Sequence, residues 1–363
     1  MKNKIVVLQR VCPSYRLETF LNFQKKCLNS LIIIGEDIPN SKVKSASNLS
    51  GLLHINLRTK HINFFGRTLT FHHKLLQTLK SNKPEIIICE AESHFLGYLT
   101  ALCYKFIFNR KVKLGYWCFI GIPGREYKKS SFLELFKKSI RKLFNHFFLY
   151  HSFGKNLLLN SGINSKNITV VTNVGNTEKF IRLSKLKIPK IEARKNLGLS
   201  DNITLLFIGA LDENKKPTKL FEIKDSLRIN VNLIFLGNGP MLSKIIDLKN
   251  GESNVLVPGH VSSNIELYLS ASDMVIVPGR GGINISESLA FGLPVIVHQA
   301  DGIEYDLIAN GENGFIIPND NTETYCKAIM NIINGDFYHT NINHYNSETM
   351  AQSLVDGCKT MLI

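Results

Sequence analysis

The stretch "PGRGGINISESLAFGLPVIV", Pro278 to Val297, decides the fold. It follows Met274–Val277, an apolar run that reads as a buried strand ended by Pro278. Gly279, Gly281 and Gly282 then supply a turn almost free of side chains. A helix is expected from about Ile283 to Phe291, with Gly292 as the residue that closes it and Pro294 just beyond. Val295–Val297 is apolar again and reads as the next strand. In a strand–turn–helix unit of this kind the glycines let a ligand approach the backbone. The first helical N–H groups lack intrahelical partners and carry the positive end of the helix dipole. Together they make a place for a phosphate or diphosphate. Glu287, about one turn into the helix, can accept hydrogen bonds from vicinal sugar hydroxyls, as acidic residues do for ribose in dinucleotide folds. Diphosphate and ribose together mean a nucleotide. An acidic residue in a first turn also complements the dipole, and that reading stands beside the first.

The same alternation of short apolar runs and helix-like stretches extends in both directions. Ile5–Leu8, Leu31–Ile34, Glu85–Cys89, Lys113–Trp117, Phe147–Tyr150 and Ile168–Val171 read as buried strands, and so do Thr204–Ile208, Asn232–Leu236, Asn254–Val257 and Gly314–Ile317. The expected fold is α/β: two doubly wound, Rossmann-like domains facing a cleft, with the ligand beyond the carboxyl ends of the strands. The polar, basic stretch Lys179–Ser200 marks the break. The expected boundaries are 1–180 for the first domain and 181–345 for the second, with a C-terminal helix, 346–363, packing back on the first.

Composition narrows the class. The chain has 363 residues, 44% of them hydrophobic and 20% charged, which suits a soluble protein of two domains. No apolar run approaches the roughly 18 residues needed to span a bilayer, and MKNKIVVLQR is too short in its apolar part for a secretory signal. Seven cysteines, an odd number with no CxxC pair, point to reduced thiols in the cytoplasm and offer no metal site. The net charge of +15 is uneven: residues 1–180 carry +19 and residues 181–363 carry −4. A basic half suits nucleic acid, an anionic membrane surface or a phosphorylated substrate; it also suits plain solubility. "SFLELFKKSIRKLFNHFFLY", Ser131–Tyr150, spaces Phe132, Phe136, Ile140, Leu143 and Phe147 as one face of a basic amphipathic helix, although Phe147–Tyr150 also reads as a strand. That helix fits either an acidic membrane surface or the chain's own sheet. No module of base-stacking aromatics among basic residues is present, which argues against nucleic acid.

Three segments in order then resemble the GT-B glycosyltransferases, specifically glycosyltransferase family 4 of the bacterial surface-polysaccharide type. "LLFIGALDENKKPTKLFEI" (Leu205–Ile223) is similar to the family's strand and lysine loop, with Lys215 at the family's position. "IFLGNGPMLSKI" (Ile234–Ile245), with Gly239, is similar to its glycine turn under the nucleotide. "SASDMVIVPGRGGINISESLAFGLPVIV" with "NGENGFIIP" resembles its donor-site signature. "QRVCPSYRLETF" and "VVTNVGNTEKF" match weaker family segments in the first half.

The resemblance implies transfer of a sugar from a UDP- or GDP-linked donor to a glycan or lipid-linked acceptor, with retention of the anomeric configuration. It implies no cofactor, and no DxD stands in a loop beside a strand to hold a metal on the diphosphate. The candidate catalytic residues are Lys215, Glu287 and Arg16. The candidate donor-binding residues are Gly209, Lys216, Gly239, His260, Gly281, Gly282, Ile283 and Asn284. Lys215 and the amides of Gly281, Gly282 and Ile283 would meet the charge that develops on the leaving diphosphate. Arg16, just past the first strand, would face the same cleft, and His260 would lie near the base.

Departures from the family pattern are specific. The signature's first glutamate, which meets the donor sugar, falls on Gly279. Ala210 replaces an arginine, Phe119 stands where many members have a histidine, and Asp306 replaces a glutamate in "GIEYDLIANG". A nucleotide-sugar epimerase on the same fold and a catalytically silent binding subunit are the alternatives these gaps leave. The expected location is the cytoplasm, with the first domain peripheral on the inner leaflet.

Overall fold

The computed structural model describes residues 1–37, 43–64, 67–91, 95–123, 138–261, 263–335, 342 and 344–363. They form two compact units. The first takes the described parts of Met1–Gly121, Arg125–Asn173 and Ser347–Ile363, and the second is built on Val174–Asn346.

In the first unit, β1 (Ile5–Leu8), β2 (Ser30–Gly35), β3 (His54–Leu57), β6 (Ile86–Glu90), β7 (Lys113–Cys118), β8 (His146–Leu149) and β9 (Ile168–Val170) form one parallel sheet in the order β3-β2-β1-β6-β7-β8-β9. Its central strands are buried on both faces, which is why they read as unbroken apolar runs. An antiparallel hairpin, β4 (Thr59–Phe64) and β5 (Arg67–His72), lies outside the sheet in the stretch between β3 and β6. The C-terminal helix Ser347–Leu362 packs on helix Ser14–Lys26 and on β7 to β9, where a Cβ on Gly357 would fall 2.3 Å from Phe148.

Two expectations change here. Residues 131–137 of the amphipathic helix expected over Ser131–Tyr150 lie outside the described residues, residues 138–141 are helical, and Phe147 belongs to β8, a strand buried along its length. Arg16, expected to face the cleft, is buried among partners of the first unit. It is 3% exposed, with its guanidinium hydrogen-bonded to the Asn173 side chain and lying 5.5 Å from the Trp117 ring and 5.2 Å from the Tyr150 ring. A buried cation needs such partners, and they make Arg16 a pin of the first unit.

In the second unit, β10 (Ile203–Ile208), β11 (Val231–Leu236), β12 (Val255–Gly259), β13 (Met274–Val277), β14 (Val295–His298) and β15 (Gly314–Ile317) are parallel in the order β12-β11-β10-β13-β14-β15. The strand order reverses between β10 and β13. In a doubly wound sheet the loops that leave such a pair at their carboxyl ends diverge and open a ligand crevice. Helix Thr177–Ser184 packs on helix Asn284–Phe291 inside this unit, so residues from Val174 onward belong to it and position 180/181 falls within a helix. The stretch Lys179–Ser200, read as the break between the domains, also folds here. Helix Lys190–Asn196 is held by buried Arg194, whose guanidinium reaches Asp201 at 2.6 Å and Asp273 at 2.5 Å.

Candidate functional site

The loops after β10, β11 and β13 touch backbone to backbone, and glycine makes this possible. A Cβ on Gly237 (φ +146°) would fall 1.8 Å from the Gly209 carbonyl oxygen, and one on Gly239 would fall 2.3 Å from that of Leu211. A Cβ on Gly279 would fall 2.2 Å from the Asn214 carbonyl oxygen and 2.7 Å from Lys215 Cα. The Arg280 N–H donates to the Asn214 carbonyl at 3.0 Å and ties the lysine loop to the glycine loop. The turn that presents Lys215 is closed by Asp212, whose carboxylate accepts the Lys215 N–H at 3.2 Å.

Lys215 then crosses the gap between the two loops. Its Cδ and Cε lie 3.2 and 3.3 Å from where a Gly209 Cβ would stand, and that Cβ would fall 2.6 Å from Asn284 Nδ2 at a φ of +141°, so glycine suits this position. Its Nζ donates to the carbonyls of Arg280 at 2.7 Å and Gly281 at 3.1 Å. Asn284, the first residue of helix Asn284–Phe291, reaches back from the other side, and its Nδ2 donates to the Ile208 carbonyl at 2.6 Å. No side chain caps this helix at Ile283. Uncapped first-turn amides, the positive end of a dipole and an ammonium on the preceding loop thus meet at the switch point of the sheet.

One expected amide is taken. Gly282 (φ +59°) donates its N–H to Asp301 Oδ2 at 3.0 Å, so this group is not open to a diphosphate. Asp301 is 8% exposed, and its Oδ1 stands 3.7 Å from Arg280 Nε. Burial pushes its carboxyl above the ordinary range, while the Gly282 amide, Lys215 and Arg280 pull it back. Asp301 is itself held by Glu304, a buried residue that accepts the N–H of Ala300 at 2.8 Å and of Asp301 at 3.3 Å. The segment "GIEYDLIANG" directs attention to Asp306. Asp301 and Glu304 structure the start of this loop.

Glu287 faces residues 174–176. Its Oε1 accepts the Asn176 N–H at 3.1 Å, and a Cβ on Gly175 would fall 2.3 Å from that oxygen. Burial pushes its carboxyl up to about 7 against the pull of the Asn176 amide and Lys179. Two further candidates are not brought to the glycine loop. Lys216 adopts a left-handed backbone (φ +49°) that turns its side chain away from that of Lys215, and it pairs with Asp320. His260 is exposed in the loop after β12, at the sheet edge and separated from β13 by β11 and β10. In the first unit, the Phe119 ring lies 4.7 Å from that of His151. His151 is 1% exposed, its Nδ1 accepts the Gly154 N–H at 3.2 Å, and burial holds the imidazole down to about 4. Among the described residues, no three His, Cys, Asp or Glu side chains gather as metal ligands, and no helix is long and apolar enough to cross a membrane.

The family model described as "Glycosyl transferases group 1" matches residues 189–349, which include both loops, the uncapped helix and Asp301. Residues 189–349 resemble a group 1 glycosyltransferase domain. CapM of Staphylococcus aureus, a capsular polysaccharide biosynthesis glycosyltransferase, is 26% identical over 201 residues, 52% of this chain and 52% of that protein. The chain thus aligns with about half the length of this curated relative. Two solved structures have the same GT-B fold. The lipopolysaccharide outer core galactosyltransferase WaaB, apo form, has a TM-score of 0.70 at 15% identity over 98% of this chain and 99% of that one. Anabaena HepE in complex with UDP has a TM-score of 0.66 at 16% identity, covering 100% and 98%. Within this matched region the lysine and glycine loops were legible from spacing. Asp301 was not, because an Asp–Gly pair after a strand is a common turn.

Proposed function

We propose that this chain transfers a sugar from a UDP- or GDP-linked donor to a glycan or lipid-linked acceptor of a surface polysaccharide. The observation that carries the reading is Lys215 Nζ on the Arg280 and Gly281 carbonyls, at the head of an uncapped helix within the region that matches the group 1 family. Cleaving a sugar–diphosphate bond leaves charge on the departing phosphate. A fixed ammonium and aligned amides stabilise that charge where it develops, with no call on a metal. The donor would place its diphosphate at Ile283 and Asn284, its ribose hydroxyls on Glu287 and its base toward the loops after β11 and β12. The likeness of the domain to CapM and of the fold to UDP-bound HepE supports a nucleotide-sugar donor. Retention of configuration follows the family resemblance.

The test is a thermal-shift and calorimetric panel of UDP, GDP and their sugar derivatives, with and without EDTA. One nucleotide class stabilises the protein, by about 2.7 kcal/mol at a hundredfold excess over Kd, EDTA has no effect, and Glu287→Ala loses the response. The sign of the pH dependence follows from Glu287. Ribose hydroxyls bind its ionised form, which a carboxyl titrating at about 7 supplies only above that pH. Donor affinity therefore rises roughly tenfold from pH 6 to pH 8, and Glu287→Gln flattens the profile. Folding runs the other way: a raised carboxyl adds stability below its ordinary value of 4.5, and that contribution is lost as pH rises through about 7. Wild-type affinity independent of pH defeats this role for Glu287.

The reading extends to the cell membrane, with the first unit docked on its inner leaflet. Phe106, Ile107 and Phe108 are 49%, 69% and 47% exposed in a segment that also holds Lys105, Arg110 and Lys111, and Lys80 Nζ lies 4.4 Å from the Phe108 ring. Apolar side chains rimmed by cations match an acidic lipid surface, each cation contributing about 1 kcal/mol. Flotation with acidic vesicles is expected to carry the protein, and replacing all three apolar residues by serine is expected to leave most of it behind. Binding indifferent to lipid charge and salt counts against docking.

A further inference from the structure

The donor reading above leaves a gap at the sugar. The carboxylate that the family resemblance puts there falls on Gly279, and the backbone of Asn214 and Lys215 occupies the space a side chain would need. A different carboxylate, Asp301 in the loop after β14, is hydrogen-bonded to the same glycine loop. We propose that Asp301 receives the hydroxyls of the donor's sugar and selects neutral sugars; this rests on the donor reading.

Position is the first support. Asp301 Oδ2 accepts the N–H of Gly282, which directly precedes the helix cap Ile283, so the carboxylate is anchored next to the amides that would hold the diphosphate. Rigidity is the second. Glu304 accepts the N–H groups of both Ala300 and Asp301 from a buried position, and Arg280 Nε stands 3.7 Å from Asp301 Oδ1. Glu304 thus fixes the backbone from which Asp301 projects, and the Gly282 N–H fixes the carboxylate itself, with Arg280 as a nearby counter-charge.

Chemistry is the third support. A carboxylate offers about four acceptor positions. The Gly282 amide fills one, and a sugar hydroxyl can donate to another. The same charge repels a phosphate, so the diphosphate is confined to the Ile283 and Asn284 side of the loop, and the neutral polyol part of the donor is what meets Asp301. A uronate sugar would bring a second carboxylate to this point and is disfavoured. Burial pushes the Asp301 carboxyl up, and the Gly282 amide, Lys215 and Arg280 pull against that shift.

The proposal is tested by calorimetry on the full chain with UDP, GDP, UDP-glucose, UDP-galactose, UDP-N-acetylglucosamine, UDP-glucuronate and GDP-mannose. The wild type is expected to bind one neutral nucleotide-sugar about tenfold more tightly than its nucleoside diphosphate, an advantage of about 1.4 kcal/mol. In Asp301→Asn that advantage falls to within about twofold while nucleoside diphosphate affinity holds or rises, since the amide still accepts the Gly282 N–H and no longer repels phosphate. Asp301→Ser gives a second reading, and diphosphate binding by either variant reports a folded domain. Retention of the sugar advantage in both variants overturns the proposal. So does a parallel loss of nucleoside diphosphate and nucleotide-sugar affinity in folded protein, which marks a purely loop-holding role, and so does a wild type that binds UDP-glucuronate best or shows no sugar advantage. A wild type that binds no nucleotide at all is a different result and removes the donor reading itself.

Discussion

Lys215→Ala is expected to fold normally and to lose two to three orders of magnitude of turnover. The ammonium is delivered to the glycine loop by a stem that passes over Gly209, and its partners are carbonyls at 2.7 and 3.1 Å that donor phosphate oxygens would replace. Those contacts lie at least partly in solvent, so truncation leaves little buried and unpaired, and the stability cost is small. The catalytic cost is large. A fixed group aimed at developing charge is worth about 10² to 10³ in kcat. The loss therefore falls mainly on kcat, while donor KM, set also by Glu287 and the helix amides, moves less. Lys215→Arg does not restore the rate, because a planar guanidinium does not reproduce the compact ammonium that sits on the Arg280 and Gly281 carbonyls at 2.7 and 3.1 Å. Initial rates over donor concentration, with unfolding midpoints measured in parallel, decide the matter. Full turnover in folded Lys215→Ala would move the catalytic cation elsewhere.

The parts of the chain that were legible share a physical cause. Strands such as Met274–Val277 and Gly314–Ile317 lie in parallel sheets where both faces are covered or nearly so, and that writes an apolar run into the sequence at the observed place. The residues between β2 and β6 carry no such run. β3 is a half-exposed edge strand, and β4 and β5 pair only with each other in a hairpin, so their sequences, HINL, TKHINF and RTLTFH, mix polar and apolar side chains. Lys215 and Lys216 are equivalent as letters. A left-handed backbone at the second of them separates their side chains, and no spacing rule announces that turn. Arg16 in "PSYRLETF" looks like the exposed start of a helix; its partners Asn173, Trp117 and Tyr150 are far away in sequence. The fold was thus carried by local patterns, while the exact roles at the site were fixed by tertiary contacts.

Gly279 separates these two kinds of information. By pattern it is a lost glutamate, and restoring it would be expected to improve the site. By geometry Gly279→Glu is expected to abolish activity and to cost about 1–3 kcal/mol of stability through overpacking. A Cβ at 279 meets the Asn214 carbonyl oxygen at 2.2 Å and Lys215 Cα at 2.7 Å, and both are backbone atoms that cannot rotate away. The loops must part, the Arg280 N–H to Asn214 hydrogen bond at 3.0 Å breaks, and the Lys215 ammonium leaves the glycine loop. The new carboxylate also adds charge to a loop that already holds Asp301. Gly279→Ala isolates the steric part: it adds the same Cβ without charge and is expected to lose most of the turnover, with a smaller fall in unfolding midpoint. Higher kcat in Gly279→Glu would mean that the lysine and glycine loops separate when donor binds, and that the sugar carboxylate belongs at 279 after all.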